Sequence, residues 1–70
     1  MNEMNERFKQ IRKDQGLTQT EFALKLNLKR AAVGNYDIGR TVLTDRTIAD
    51  VCRVFNVNEE WLRTGVGDMY

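Results

Sequence analysis

The chain offers few side chains that could catalyse a reaction. It contains no histidine, the residue that most often serves as a general base near neutral pH. Glu59 and Glu60 are adjacent, so on a helix their carboxylates point in different directions and cannot act as a pair. Neither a glycine-rich phosphate loop nor a nucleophile elbow occurs. We expect Cys52 to be a small core residue, and the inventory argues against an enzyme.

A single cysteine without any histidine also limits how the fold can be held together. No disulfide can form within the chain and a zinc site lacks ligands, so we expect neither a metal nor another cofactor. The 70 residues amount to one small domain that depends on hydrophobic packing. The lone thiol fits a reducing cytosol, and we therefore expect a cytoplasmic protein.

The charge and hydropathy of the chain limit its partners. The net charge is only +1, so binding to a nucleic acid would require a local cluster of basic residues. No apolar run approaches the roughly 20 residues that span a bilayer. The first ten residues, MNEMNERFKQ, are polar and do not resemble a signal peptide. We expect no association with a membrane.

Helical spacing and glycines predict five helices, which start near residues 2, 19, 30, 45 and 59. Met4, Phe8 and Ile11 form an apolar stripe on the first helix, and Gly16 is expected to end that helix as a C-cap. Apolar pairs five positions apart, the spacing of a hydrophobic staple, mark the other helix starts: Leu17–Phe22, Leu28–Val33, Leu43–Ile48 and Val57–Leu62. The pattern predicts an all-α domain over residues 1–64, followed by a short flexible tail over 65–70.

The residues just before these helices differ in quality as caps. Thr18, Thr44 and Asn58 are good N-caps, and Thr18 with Glu21 has the spacing of a capping box. Lys29 is a poor cap.

The stretch TQTEFALKLNLKRAAVGNYDIG, residues 18–39, could form either one helix or two. A single helix would need one consistent apolar stripe, but Leu24 and Leu28 widen it and Gly34 weakens the helix. Asn27 adopts the left-handed conformation more readily than most residues do. A left-handed Asn27 would end one helix and turn the chain, so that Leu28 fills the core. We therefore favour two helices.

The two-helix segment from Gln19 to Ile38 resembles the helix-turn-helix of the Cro/CI-type repressors, the XRE family. That family has Gln at the first position, Ala at the fifth, Gly at the ninth and aliphatic residues at the tenth and fifteenth. The similarity runs without gaps from about Arg7 to Thr64, and the ending EEWLRTGVGDMY resembles phage and prophage members. The matching positions in the motif are Gln19, Ala23, Asn27, Leu28 and Val33.

Four positions depart from the family pattern. Asn27 replaces the turn glycine, and Lys29 replaces the usual Ser or Thr cap of the third helix. Gly34 lies in the middle of a helix where a larger polar residue is common, and Leu43 stands where a proline is often found. These departures bear on the rigidity of the third helix rather than on the fold.

The resemblance implies a compact five-helix bundle of the lambda-repressor-like type, with the third helix in the major groove of double-stranded DNA. Arg30 could then bind a guanine edge and Asn35 an adenine. The resemblance and the positions on the third helix imply base contacts by Arg30, Ala31, Gly34 and Asn35, and phosphate contacts by Thr18, Gln19, Lys29, Arg40 and Arg46. Arg12 and Asp37 resemble a structural ion pair of the family.

By the same resemblance the protein would be a bacterial or phage-encoded, nucleoid-associated repressor. It would bind a roughly palindromic operator as a homodimer. The dimer contact would come from the fourth and fifth helices and the tail, a region that holds Val54, Asn56, Trp61 and Leu62. The low net charge leaves an alternative open: an antitoxin-type regulator or protein-interaction module that keeps the fold without an operator.

Overall fold

The computed structural model describes residues 3–70, and within that range it contains five α-helices and no strand. The all-α prediction is confirmed, as are the predicted helix starts at 19, 30, 45 and 59. The start predicted near residue 2 lies outside the described residues. Among residues 3–70 no helix combines the length and the apolar character that crossing a membrane requires. The helices are α1 (Glu3–Asp14), α2 (Gln19–Leu26), α3 (Arg30–Asp37), α4 (Asp45–Phe55) and α5 (Glu59–Thr64).

Left-handed residues end the helices. Asn27 has φ 57° and ψ 43°, so α2 stops there and the two-helix interpretation is confirmed. The amide of Leu28 donates to the carbonyl of Ala23 at 2.8 Å, which closes the end of α2 and turns Leu28 toward the core. Asn56 ends α4 in the same way, with φ 57°. Positive φ also follows α1, α3 and α5, at Gly16, Gly39 and Gly65.

The helix starts follow the predicted caps. The Thr18 hydroxyl accepts from the Glu21 amide at 3.1 Å, and the Glu21 carboxylate accepts from the Thr18 amide at 2.9 Å. This reciprocal pair confirms the capping box and lowers the pKa of Glu21, chiefly through the hydrogen bond from the Thr18 backbone. Thr44 and Asn58 also cap their helices, whereas Lys29 makes no capping hydrogen bond with its side chain.

The core is formed by buried side chains from all five helices. Phe8 is fully buried, and its ring meets Phe22 edge-on at a centroid distance of 5.1 Å and Tyr36 at 5.3 Å. Trp61 and Leu62 are also buried in this core, whereas Val54 and Asn56 are exposed. Of the four residues named for a dimer contact, Val54 and Asn56 are therefore the two that are available to a partner.

Two polar side chains of α1 donate hydrogen bonds to backbone carbonyls of residues far away along the chain. Asn5 is buried, and its amide donates to the carbonyls of Tyr36 at 2.9 Å and Thr41 at 2.8 Å. Arg7 donates to the carbonyl of Leu62 at 2.8 Å, close to the end of α5. Carbonyls at helix ends lack partners within the helix, so these bonds hold the ends of α3 and α5 against α1.

The last residues contact the rest of the domain. The Tyr70 hydroxyl donates to Asp14 at 2.7 Å and accepts from the Gln15 amide at 2.7 Å. The amide of Asn58 donates to the carbonyl of Met69 at 2.8 Å, and the Met69 side chain packs against the core. These contacts place the tail beside the end of α1 and the start of α5. Its flexibility stays a prediction.

An ion pair joins α1 to α3. Both the Nε and the Nη2 of Arg12 lie 3.2 Å from the Oδ2 of Asp37, which is buried. The Nη1 of the same guanidinium donates to the carbonyl of Leu17 at 3.0 Å. One side chain of α1 therefore holds both the start of the α2 segment and the last residue of α3.

We predict that Arg12→Ala lowers the free energy of unfolding by about 3–5 kcal/mol, because it leaves a buried carboxylate without its cation. The adjacent exposed Lys13 gives a matched control, and Lys13→Ala should change stability by less than about 0.5 kcal/mol. Urea denaturation followed by circular dichroism measures both. The double variant Arg12→Ala/Asp37→Ala should cost less than the sum of the two single variants; strictly additive costs would contradict a coupled pair.

Candidate nucleic-acid interface

The side chains of α3 divide between the core and an outer face. Val33, Tyr36 and Asp37 are buried. Arg30 and Ala31 are exposed, and Gly34 and Asn35, one turn further on, are half-buried. Residues three and four apart lie on the same side of a helix, so the four positions predicted to read bases share one surface.

A chain of hydrogen bonds connects that surface to the buried ion pair. The Gln19 side chain donates through Nε2 to the Oδ2 of Asp37 at 3.0 Å. Its Oε1 accepts from the Nη1 of Arg30 at 3.0 Å. Gln19 is the first residue of α2 and Arg30 the first residue of α3. The bonds therefore fix the start of one helix of the motif against the start of the other.

Gly34 is not required by the packing of the helix. A Cβ at this position would lie 3.8 Å from the Oε1 of Gln19, which is an ordinary van der Waals contact. An alanine would fit and would favour the helix by about 1 kcal/mol. The glycine instead leaves the backbone bare in the middle of the outer face, where a partner could approach it closely.

The helix α3 has little stability of its own. It is eight residues long, its N-cap Lys29 makes no side-chain hydrogen bond, and Gly34 lies in its middle. Its first turn contains no acidic residue and its last turn no basic one, so side-chain charges do not stabilise the helix dipole. Its position depends on packing and on the bonds from Arg12 and Gln19.

The residues predicted to contact phosphates are spread around this face. Thr18 is exposed, and its hydroxyl accepts from the Glu21 amide in the capping box. Lys29 is exposed at the start of α3, and the backbone of Arg40 is bonded to the carbonyl of Asn35 at 2.9 Å. Arg46 lies apart from them, on α4. It is exposed, its Nε is 3.9 Å from the Asp50 carboxylate, and it borders a cleft beside the turn of the motif.

The local charge differs from that of the whole chain. Lys29, Arg30 and Arg40 are exposed at the two ends of α3. Asp37, which ends the helix, is buried against Arg12 and does not reach the surface. Exposed cations therefore lie at both ends of α3 although the net charge is only +1.

The groups exposed on the outer face are suited to binding. Among residues 3–70 no cluster of His, Cys, Asp or Glu side chains could hold a metal ion. The one thiol, Cys52, is half-buried, and its burial raises its pKa, which makes it a poor nucleophile. Exposed guanidinium, ammonium and amide groups remain, and these recognise phosphates and base edges.

Gln19 links Asp37 of the predicted ion pair to Arg30 of the predicted base contacts, and the sequence does not predict this role. Gln19 was expected to face a phosphate, but its amide is bonded to Asp37 and Arg30. The one sign of a special role in the sequence is that Gln19 stands at the first position of the motif. No short-range pattern indicates hydrogen-bond partners 11 and 18 residues away along the chain.

A model of the helix-turn-helix family matches residues 8–62, which covers most of the chain and includes α2, α3 and the turn between them. No significant match was found to a curated protein or to a solved structure. The matched segment contains the motif residues on which the sequence resemblance rested. The chain therefore belongs to the XRE-type helix-turn-helix family of DNA-binding transcription regulators.

Proposed function

We propose that this protein is a transcriptional repressor that binds a roughly palindromic operator as a homodimer, with α3 of each protomer in the major groove. The observation that supports it most is the outer face of α3. There Arg30 is exposed and held by Gln19, with Asn35 one turn away. Side chains that are ordered before binding lose less entropy when they meet DNA.

The chemistry of the four outer residues suits base reading. Arg30 can donate two hydrogen bonds to the O6 and N7 of a guanine, and Asn35 can pair with the N6 and N7 of an adenine. Ala31 suits a thymine methyl group, and Gly34 allows the helix axis to come close to the bases. Together they would read a few neighbouring base pairs of one half-site.

The surrounding residues would position the protein on the backbone of the DNA. Lys29, Arg40 and Arg46 would neutralise phosphates, and the exposed Thr18 would contact a phosphate at the start of α2. The Gln19 side chain, next to the same helix start, would contribute from its remaining hydrogen-bonding capacity. Such contacts set affinity and register but carry no base sequence.

A homodimer would supply the affinity that one domain lacks. A single module of this size buries too little surface for tight specific binding, whereas two half-sites one helical turn apart add their contacts. The region over α4, α5 and the tail would form the interface. Val54, which is 37% exposed on α4, and Asn56 at its end are available there.

A protein-interaction module of the antitoxin type is the second candidate. Two exposed aliphatic side chains favour it: Leu24 is 75% exposed on α2, and Val42 is 67% exposed in the loop before α4. The net charge of +1 is also low for a DNA-binding protein. The two candidates differ in their response to salt, because only a protein that neutralises phosphates releases counterions.

The deciding experiment is fluorescence anisotropy with a duplex that the protein itself selects from a randomised library. A repressor should bind this duplex tightly, and its affinity should fall steeply as salt rises. If no duplex binds even at low salt, the repressor proposal is wrong and a protein partner should be sought by affinity capture.

We predict that Arg30→Ala and Asn35→Ala each weaken operator binding by about 1–3 kcal/mol per half-site and relax the preference at one base pair. Each removes hydrogen bonds to a base edge and leaves the folded core unchanged. Lys13→Ala, an exposed charge on α1, is the control and should bind as the wild type does. Equal losses on every sequence would assign Arg30 and Asn35 to the phosphates.

We further predict that Lys29→Ser stabilises the protein while weakening its binding to DNA. The serine hydroxyl can cap α3, which should raise the free energy of unfolding by about 1 kcal/mol. The loss of the ammonium group should reduce the slope of log K against log salt by about 1 per half-site. Denaturation and salt titration measure the two effects. A stabilised variant with an unchanged salt slope would exclude Lys29 from the phosphate contacts.

A further inference from the structure

Three hydrogen bonds connect Arg12, Asp37, Gln19 and Arg30 in series, and in each of them the donor and the acceptor are fixed by the chemistry of the side chains. We propose that the buried Asp37 is a positioning residue for base reading: it fixes the orientation of the Gln19 amide, which then requires a hydrogen-bond donor at position 30. This inference rests on the proposed function, because it concerns which base edge that position can read. We call the three bonded side chains Asp37, Gln19 and Arg30 the relay.

The first step of the relay is imposed by Asp37. An ionised carboxylate can only accept hydrogen bonds, so Gln19 must present its NH₂ group to it. The same oxygen, Oδ2, also accepts from Arg12, and Asp37 is only 3% exposed. Held by Arg12 and shielded from water, the carboxylate stays in place as a fixed acceptor.

The second step follows from the chemistry of an amide. Once its nitrogen faces Asp37, the oxygen of Gln19 is the atom left facing α3. Arg30 carries only donors, and its Nη1 meets that oxygen at 3.0 Å. Each hydrogen bond of the relay therefore joins a donor to an acceptor. If the Gln19 amide were turned over, its oxygen would face the Asp37 carboxylate, and two acceptors would meet.

The relay restricts what position 30 can do. An acidic side chain there would place an acceptor against the Gln19 oxygen, so the site favours a donor and hence base edges that accept, of which guanine offers two. The bond also reduces the rotamer freedom of a long, otherwise exposed side chain before DNA arrives. The remaining donors of the guanidinium are free for the base.

The experiment uses Gln19→Met, which keeps the length of the side chain and removes its amide, with Gln10→Met on the exposed face of α1 as the matched control. The selected duplex is compared with single-base-pair variants of it, and Arg30→Ala identifies the pair that Arg30 reads. Asp37→Ala is measured in parallel wherever circular dichroism shows that it is folded; if it does not fold, the decision rests on Gln19→Met.

We expect Gln19→Met to reduce discrimination at the pair read by Arg30 by about two- to ten-fold, the effect of one lost hydrogen bond. Discrimination at the pair read by Asn35 should stay as in the wild type, and the substitution should have no further effect on discrimination in an Arg30→Ala background. Folded Asp37→Ala should show the same selective loss, which a purely structural role would not produce.

Two results would overturn the relay, and they are distinguishable. If Gln19→Met weakens all duplexes equally and keeps the discrimination of the wild type, Gln19 contacts only phosphate and the relay alone is wrong. If the wild type shows no preference among duplexes, the proposed function fails and the relay fails with it.

Discussion

The buried carboxylate of Asp37 is the contact on which the geometry of the outer face depends. It lies at the last residue of α3, receives one hydrogen bond and a second ion-pair contact from Arg12 on α1, and receives another hydrogen bond from Gln19 on α2. A buried charge is costly unless it is paired and hydrogen-bonded, so the contacts of Asp37 with Arg12 and Gln19 hold the three helices together. Its other oxygen, Oδ1, has no protein partner, which leaves Oδ2 to make every bond. The loss of any of these donors would disturb the position of the outer face of α3.

Much of the fold could be predicted because the connections between its helices are set by short sequence patterns that recur along the chain. At three places an αL residue, an apolar residue and a cap follow one another: Gly16-Leu17-Thr18, Asn27-Leu28-Lys29 and Asn56-Val57-Asn58. The first ends a helix, the second enters the core and the third starts the next helix. Except at Lys29, which makes no capping hydrogen bond, each step uses the conformational preference of a single residue, and this preference is visible in the sequence. For this reason the helix starts and the turn at residue 27 could be predicted without any knowledge of tertiary contacts.

The rest could not be predicted, because it depends on partners far apart in the chain. Asn5 is hydrogen-bonded to backbone 31 and 36 residues away, and Arg7 to backbone 55 residues away. A polar residue on a helix looks the same in sequence whether it faces water or a distant carbonyl. The outer face illustrates the same limit: family resemblance named Gln19 and Arg30 one by one, but their bond follows from how α2 and α3 pack.

The weakness of α3 as a helix is best explained by what its outer face must do. Lys29 is a poorer cap than serine and Gly34 is a poorer helix residue than alanine, yet neither is required by the surrounding packing. Local rules that a sequence breaks without a structural reason are commonly broken at functional sites. Under the proposed function, a positive charge and an exposed backbone would both favour contact with the anionic groove of DNA. The stability that α3 lacks locally is supplied from α1 and α2, through a guanidinium and an amide that meet on one buried carboxylate. A short helix with an exposed backbone and a poor cap is not rigid by itself. Here α3 provides the exposed outer face, and α1 and α2 provide the contacts that hold it in place.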